Sequence, residues 1–286
     1  MIVYNIPVNL VSAYHGQCVI VRAEHPAELI KAFSRRGTEN LIGVQLLSLT
    51  TEVDLLADWG TAIPIELVML DPGMEFPLLY RHAKLFDKHP VRVSIPVVPG
   101  FSKAVKVATS LQFVVKLELG QPDIALIEEL SAVLSSYLHQ SLICQPIEPF
   151  HSLLMSLYYQ ERATIWDIQE EDPVYFYYIT KDGRETIPRR FAGGRVTASL
   201  GSFVTDLEHE LLTEGEECYE CEYFERCRGY FKWPNRDFAC NGVKTIFHAL
   251  KEAAEELKHD LTVLDAGPRS MNYDDRKSFL SDITAD

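Results

Sequence analysis

Four of the six cysteines in this 286-residue chain lie close together, at Cys218, Cys221, Cys227 and Cys240. Their spacing is C-x2-C-x5-C-x12-C, in a segment that is otherwise aromatic and charged. A buried free cysteine normally sits in apolar sequence, so thiols this dense are not typical of a hydrophobic core. A bound metal centre explains the pattern best, and it requires the chain to fold as a loop around the thiols.

The residues after Cys240 predict an amphipathic helix that closes this loop. Apolar side chains recur there at helical spacing. They are Val243, Ile246, Phe247, Leu250, Ala254 and Leu257. The apolar stripe gives the loop a surface with which to dock on the rest of the chain.

The spacing alone leaves the nature of the centre open. Zinc sites usually pair two short cysteine knuckles, and only one, Cys218 with Cys221, is present here. A wide separation, as between Cys227 and Cys240, is common when ligands reach the corners of an iron–sulfur cube. Because the first residues show no secretion signal, we expect a reducing cytoplasm, which disfavours disulfides. Iron–sulfur and zinc centres remain equally compatible with the spacing.

Composition excludes some classes of partner. The chain has 41 acidic against 27 basic residues and a net charge of −14, which disfavours binding to a nucleic-acid backbone. No apolar run reaches the roughly 18 residues that span a bilayer. The remaining cysteines, Cys18 and Cys144, lie in apolar runs, and we predict that they are packed strand residues rather than ligands.

The first half of the chain predicts parallel βα units. Helix-like segments alternate with short apolar runs at a period of roughly 25 residues, and strands that are apolar throughout are typical of sheets buried on both faces. Five or six units, ending with a strand over residues 141–147, are too few for a closed eight-fold barrel. Residues 122–139 predict the clearest helix, with Pro-Asp at its start.

The pattern changes after Glu148. Residues 148–168 predict two short helices, in which His151 is expected to be structural. The segment 174–191 predicts a β-hairpin turning at Lys181-Asp182-Gly183-Arg184, and residues 192–194 predict a flexible turn. The tail after Leu264 is polar, so we expect it to be loosely ordered.

The cysteine segment resembles the SPASM domain, a C-terminal extension of many radical SAM enzymes. The family motif adds a C-x3-C step, where this chain has Phe231. In the family that missing cysteine serves a first auxiliary cluster, and the others hold a second. The resemblance therefore implies a single 4Fe–4S cluster. Its ligands would be Cys218, Cys221, Cys227 and Cys240.

The order of parts also resembles radical SAM enzymes, whose open six-unit barrel precedes the SPASM domain. Their C-x3-C-x2-C loop, which leaves one iron free for SAM, is absent here, since the corresponding region contains only Cys18. We therefore predict an α/β fold comprising a partial (βα)6-type radical SAM-like barrel (1–165), a SPASM-like cysteine-rich iron–sulfur domain (166–264) and a tail (265–286). No SAM is expected, and no residue is assigned a catalytic role.

Functionally, the resemblance implies a non-catalytic partner subunit. The SPASM domain proteins of GeoRSP-type peptide-modification systems are similar, and they work beside a radical SAM/SPASM enzyme, a precursor peptide and a PqqD-like carrier. The cluster would transfer electrons, or the chain would present the peptide. Two alternatives stay open: a zinc-stapled scaffold, and a stand-alone enzyme. The candidate carboxylates of such an enzyme are Glu66, Asp71, Glu118 and Glu148.

Basic and aromatic residues surround the four cysteines. The basic residues would either lower the thiol pKa values and hold the charge of a cluster, or form a docking face for an acidic partner. The aromatic rings would shield the centre from water. The two sets are Arg226, Arg228, Lys232, Arg236 and Lys244, and Tyr219, Tyr223, Phe224, Tyr230, Phe231, Trp233 and Phe238.

Overall fold

The computed structural model describes residues 1–34, 37, 39–49, 52–60, 62–186, 200–213 and 217–265. Within these ranges the strands are β1 (Val3–Pro7), β2 (Val19–Ala23), β3 (Leu41–Leu46), β4 (Ile65–Val68), β5 (Val91–Pro96), β6 (Val114–Glu118), β7 (Ile147–Glu148), β8 (Phe176–Ile179) and β9 (Glu185–Thr186).

The α-helices in the same ranges are α1 (Pro26–Phe33), α2 (Val53–Ala57), α3 (Pro72–Glu75), α4 (Phe101–Ser110), α5 (Ile124–His139), α6 (Phe150–Tyr159), α7 (Ile165–Ile168), α8 (Phe203–Thr213), α9 (Phe224–Cys227) and α10 (Asn241–Asp265). A 3-10 helix over Phe76–Asp87 connects α3 with β5.

All the strands belong to one open sheet, in the order β7-β6-β5-β4-β3-β2-β1-β8-β9. Every pair from β7 to β8 is parallel, and only β8 with β9 is antiparallel. Over the residues described, these strands form an α/β half-barrel with eight parallel strands, which confirms the predicted open sheet. It contains more strands than the six units expected, because β1 and β2 are joined without an α-helix and β8 adds to the far side of β1.

Strand β8 is the first half of the predicted hairpin. Tyr178 pairs with Thr186, and Ile179 with Glu185, around the turn at Gly183. The hairpin is confirmed over these residues, and β8 also lies parallel to β1. The last residues of the predicted hairpin, the turn at 192–194 and the tail from 266 onward lie outside the described part of the chain.

The helix predicted over residues 122–139 is confirmed as α5. Asp123 caps it by accepting a hydrogen bond from the backbone nitrogen of Leu126 at 2.9 Å. A side-chain oxygen at this position satisfies one of the free N–H groups of the first turn. Ile127 and Leu130 are buried, as the apolar spacing predicts.

The strand predicted over residues 141–147 is wrong over most of its length. Only Ile147 of that segment is in β7, which continues to Glu148. Pro146 and Pro149 flank this strand and have no N–H to donate, which confines it to a short edge strand. Cys144 is consequently exposed rather than packed in a strand.

Helix α10 connects the cysteine segment to the half-barrel. Its buried side chains include Ile246, Phe247 and Leu250, and the helix packs against α5 and α6. The amphipathic helix predicted after Cys240 is therefore confirmed. Among the helices described, none combines the length and apolar character that crossing a bilayer would need.

Candidate metal site

Short helical turns position the four cysteines. Cys218 and Cys221 lie in a turn where Cys221 donates its backbone N–H to the carbonyl of Cys218 at 3.3 Å. Cys227 ends α9, and Cys240 precedes α10, where its carbonyl accepts the N–H of Lys244 at 2.9 Å. The backbone therefore brings residues from both ends of the loop to one place.

All four cysteines line the same cavity, of about 20 Å³. None of them is in a disulfide. As the side chains stand, this volume has room for about one water-sized ligand. A cube with four iron atoms would fit only if the thiols rotated outward and enlarged the cavity.

The four thiols line one cavity, but their side chains do not have the arrangement of metal ligands. Across the residues described, no group of three or more Cys, His, Asp or Glu side chains is arranged to hold a metal ion. The cysteines supply the soft thiolate donors that zinc and iron–sulfur centres prefer. The residues therefore suit such a centre in kind and position, while their side chains would have to reorient to bind it.

Burial dominates the ionisation of two of the four thiols, Cys227 and Cys240. The pKa of Cys227 is raised to about 12, mainly by burial; backbone hydrogen bonds offset part of the increase, and the neighbouring thiols Cys218 and Cys221 add to it. Burial also raises the pKa of Cys240 to about 12, to which Glu217 contributes, while Lys232 acts in the opposite direction. Lys232 therefore acts on the pKa of Cys240 in the expected direction, but burial outweighs it.

Two lysines line the cavity, and a glutamate joins them. The Lys244 ammonium is 2.6 Å from one carboxylate oxygen of Glu217, and that of Lys232 is 3.3 Å from the other. Lys232 is buried and also donates to the carbonyl of Phe238 at 2.9 Å. Sequence analysis missed Glu217, whose only signal is its position directly before Cys218.

The three arginines point away from the cavity and tie the loop to other helices. Arg228 pairs with Glu208 of α8, and Arg236 pairs with Glu210 of the same helix. The Arg226 Nε donates to the hydroxyl of Ser156 in α6 at 3.2 Å. Arg228 and Arg236 therefore each have a carboxylate partner within the chain.

Part of the predicted aromatic shield is present. Tyr223, Phe224 and Phe231 line the cavity together with Phe247 of α10, which stacks on Tyr223 at 5.2 Å. Tyr219 is 69% exposed and shields nothing. The other predicted rings pack nearby, where Tyr230 contacts Trp166, Trp233 contacts Phe203 and Phe238 stacks on Phe231.

Side-chain hydrogen bonds from Gln121 and Trp166 fasten the cysteine loop to the half-barrel. The Gln121 side chain, just after β6, donates to the carbonyls of Phe231 and Asn235, both at 2.8 Å. The Trp166 indole in α7 donates to the carbonyl of Arg228 at 3.1 Å. The cavity is therefore held from the barrel side as well as by α10.

The candidate carboxylates of the half-barrel are not brought together as an active site. Glu66 is buried and paired with Arg92 at 2.6 Å. Asp71 caps α3, Glu118 is exposed, and Glu148 accepts a hydrogen bond from the Ser152 hydroxyl at 2.8 Å.

Two further residues considered in the sequence, His151 and Cys18, do not line the cavity. His151 lies 2.8 Å from the hydroxyl of Tyr137, in keeping with the expected structural role. Cys18 lies just before β2, and its sulfur is 3.7 Å from that of Met1. It is remote in sequence from the four clustered cysteines and does not line their cavity.

No protein-family model matches this chain, and no curated protein or solved structure matches it either.

Proposed function

We propose that this chain is a non-catalytic iron–sulfur partner subunit of a radical SAM peptide-modification system. The observation that carries the proposal is the cavity shared by Cys218, Cys221, Cys227 and Cys240, which buried aromatic rings and two lysines enclose. These four cysteines would hold one 4Fe–4S cluster. When bound, a cluster with this ligand set supplies one-electron transfer.

The number of thiols argues for a supporting role. With a cysteine for every iron, no coordination position is left for SAM or a substrate. The only cysteine near the start of the half-barrel is Cys18, and one thiol cannot hold a cube. The chain would therefore depend on another protein for radical chemistry, and that protein would be a radical SAM/SPASM enzyme.

The lysines give the site an electrostatic function. Four thiolates and a cluster carry net negative charge, and Lys232 and Lys244 lie on the wall of the same cavity. Positive neighbours stabilise such a centre and raise its reduction potential. Glu217 keeps both lysines in place, since its carboxylate contacts each of them.

The half-barrel supports the proposed family only coarsely, because other α/β folds share its parallel βα units. The four cysteines follow the last strands of the half-barrel, β8 and β9, in sequence, and in the enzymes that the chain resembles the SPASM domain likewise follows the barrel. In that setting the chain would transfer electrons to its partner, or present a precursor peptide delivered by a PqqD-like protein. The cytoplasm is the proposed compartment, where thiols stay reduced.

Metal analysis separates this proposal from its zinc alternative. The full-length chain is purified without oxygen, its iron, sulfide and zinc are quantified, and an EPR spectrum is recorded after dithionite reduction. We expect about four irons and four sulfides per chain and the signal of a reduced cluster. One zinc and no sulfide after anaerobic reconstitution would instead establish a zinc-stapled scaffold.

A matched pair of cysteine variants makes the assignment specific. Cys227→Ser removes a thiol from the shared cavity, whereas Cys144→Ser removes an exposed thiol outside it. We expect iron content to fall in the first variant and to stay at the wild-type level in the second. Equal iron content in both variants would contradict the ligand assignment.

A further inference from the structure

A row of polar side chains crosses the strands of the half-barrel. Gln45 of β3 lies opposite Glu66 of β4, and Glu66 lies opposite Arg92 of β5. Residues in register on adjacent parallel strands share one face of the sheet.

Hydrogen bonds connect this row over several strands. Asn5 of β1 donates to Gln45 at 2.9 Å, and Gln45 donates to Glu66 at 2.9 Å. Arg92 donates to the same Glu66 carboxylate at 2.6 Å. Lys116 of β6 is buried beside them. The strands alone therefore place the Glu66 carboxylate next to two cations, Arg92 and Lys116.

A second carboxylate reaches the row from outside the sheet. Glu170 follows α7, in a turn where its φ is +58°. Its oxygens accept from the two terminal nitrogens of Arg92 at 2.7 and 2.9 Å, and Lys116 lies 2.8 Å away. This bidentate pair of hydrogen bonds is the usual geometry in which a guanidinium group binds a carboxylate.

The Glu170 contact is the accessible end of the row. The side chains of Arg92 and Glu170 are 29% and 19% exposed, whereas those of Glu66 and Lys116 are 7% and 6% exposed. Removing Glu170 would leave two cations facing a single carboxylate, and uncompensated buried charge is costly. A carboxylate from another molecule would restore the balance in the same place.

We propose that Arg92 and Lys116 form a binding site for a ligand carboxylate, which Glu170 fills in the free protein and a ligand displaces. The ligand is an acidic side chain of a peptide or a free small dicarboxylate. Both sources present the same group to Arg92. The site is independent of the cysteine cavity, so it stands whether or not the chain binds a cluster.

Calorimetric titration of the full-length chain tests the proposal. The probes are the capped peptides Gly-Glu-Gly and Gly-Gln-Gly and the free dicarboxylate glutarate. The variants are Glu170→Gln, which keeps the shape of the side chain without its charge, and Glu161→Gln, which neutralises an exposed carboxylate in the same region.

We expect Glu170→Gln to bind a carboxylate probe about tenfold more tightly than wild type or Glu161→Gln, because its internal competitor is neutral. The Gly-Gln-Gly peptide should bind to none of these proteins. Adding Arg92→Gln to Glu170→Gln should abolish binding of the carboxylate probes. Stronger binding of the Gly-Glu-Gly peptide than of glutarate would identify a peptide as the source of the ligand carboxylate. Stronger binding of glutarate would identify a small acid as the source. Equal affinities of wild type and Glu170→Gln, or no preference for Glu over Gln, would overturn the proposal.

Discussion

The indole nitrogen of Trp166 lies 3.1 Å from the carbonyl oxygen of Arg228, to which it donates a hydrogen bond. Trp166 belongs to α7, and Arg228 directly follows Cys227 at the end of α9. The bond therefore joins a short helix on the barrel side to the backbone that carries a candidate metal ligand.

Trp166→Phe should weaken this junction while retaining an aromatic ring. The Arg228 carbonyl would lose its donor, which costs about 1 to 2 kcal/mol. Chemical denaturation measures the change in the free energy of unfolding. Tyr159→Phe, at a ring that is 62% exposed, is the control and should change stability by less than about 0.5 kcal/mol. Equal losses in both variants would show that the Trp166 hydrogen bond contributes nothing.

Gly229→Ala should destabilise the cysteine loop. Gly229 has φ of +74°, and an added Cβ would clash with the Cδ1 atom of Leu211. Gly183 offers a matched control, because its φ is +83° and an added Cβ would meet no atom within 4 Å. We expect Gly229→Ala to cost about 1 to 3 kcal/mol more than Gly183→Ala, as overpacking does. Similar losses in thermal or chemical unfolding would exclude the contact with Leu211 as the cause.

Lys232→Met should weaken binding of the metal centre that we propose for the four cysteines. The variant removes a buried cation from the wall of the cavity while keeping a side chain of similar length. Losing a neighbour that supports metal ligands typically lowers affinity about 10- to 100-fold. Competition with a chelator measures the change in metal affinity. Lys251→Met removes a partly exposed lysine paired with Glu222 outside the cavity, and it should retain wild-type affinity.

Glu66→Gln should change how stability depends on acid. Burial opposes ionisation of Glu66, but Arg92 and Lys116 outweigh it and lower the pKa to about 2. A carboxyl group with a lowered pKa stabilises the fold above its unfolded pKa, about 4.3, and this contribution is lost as pH falls toward 2.

At neutral pH we expect Glu66→Gln to cost about 3 kcal/mol, because it leaves Arg92 with one fewer charged partner. Between about pH 5 and 2 the variant should lose less stability than wild type. Denaturation curves at a series of pH values measure this difference. Glu24→Gln, which breaks an exposed pair with Lys181, is the control and should follow the wild-type pH dependence. Parallel curves for Glu66→Gln and wild type would contradict the role assigned to Glu66.

Local sequence was enough to predict the elements whose signals are local. The apolar runs and the Pro-Asp start of α5 predicted the parallel strands and that helix, because burial and capping act over a few residues. Residues 141–147 contain a similar apolar run, yet the prolines beside Ile147 prevent a longer ladder. The prediction of a longer strand followed the apolar residues and gave too little weight to these prolines.

The surroundings of the candidate sites depend on contacts across long stretches of chain. Arg92 and Glu170 are 78 positions apart, so no local pattern indicates that they pair. Glu66 stood out in the sequence only as a candidate carboxylate, and nothing near it in the chain indicated its partners. For the cysteines, spacing predicted a shared site, whereas burial of Cys227 and Cys240 depends on packing with α10 and could not be derived from spacing.

Strand β1 lies between β2 and β8, two strands that are synthesised at very different times. β2 follows β1 closely, but β8 does not exist until Phe176–Ile179 have been made. Throughout that interval the growing chain offers one free edge of β1, with unpaired N–H and C=O groups, to any neighbouring strand. Chains released before β8 would therefore aggregate, rather than survive as smaller half-barrels.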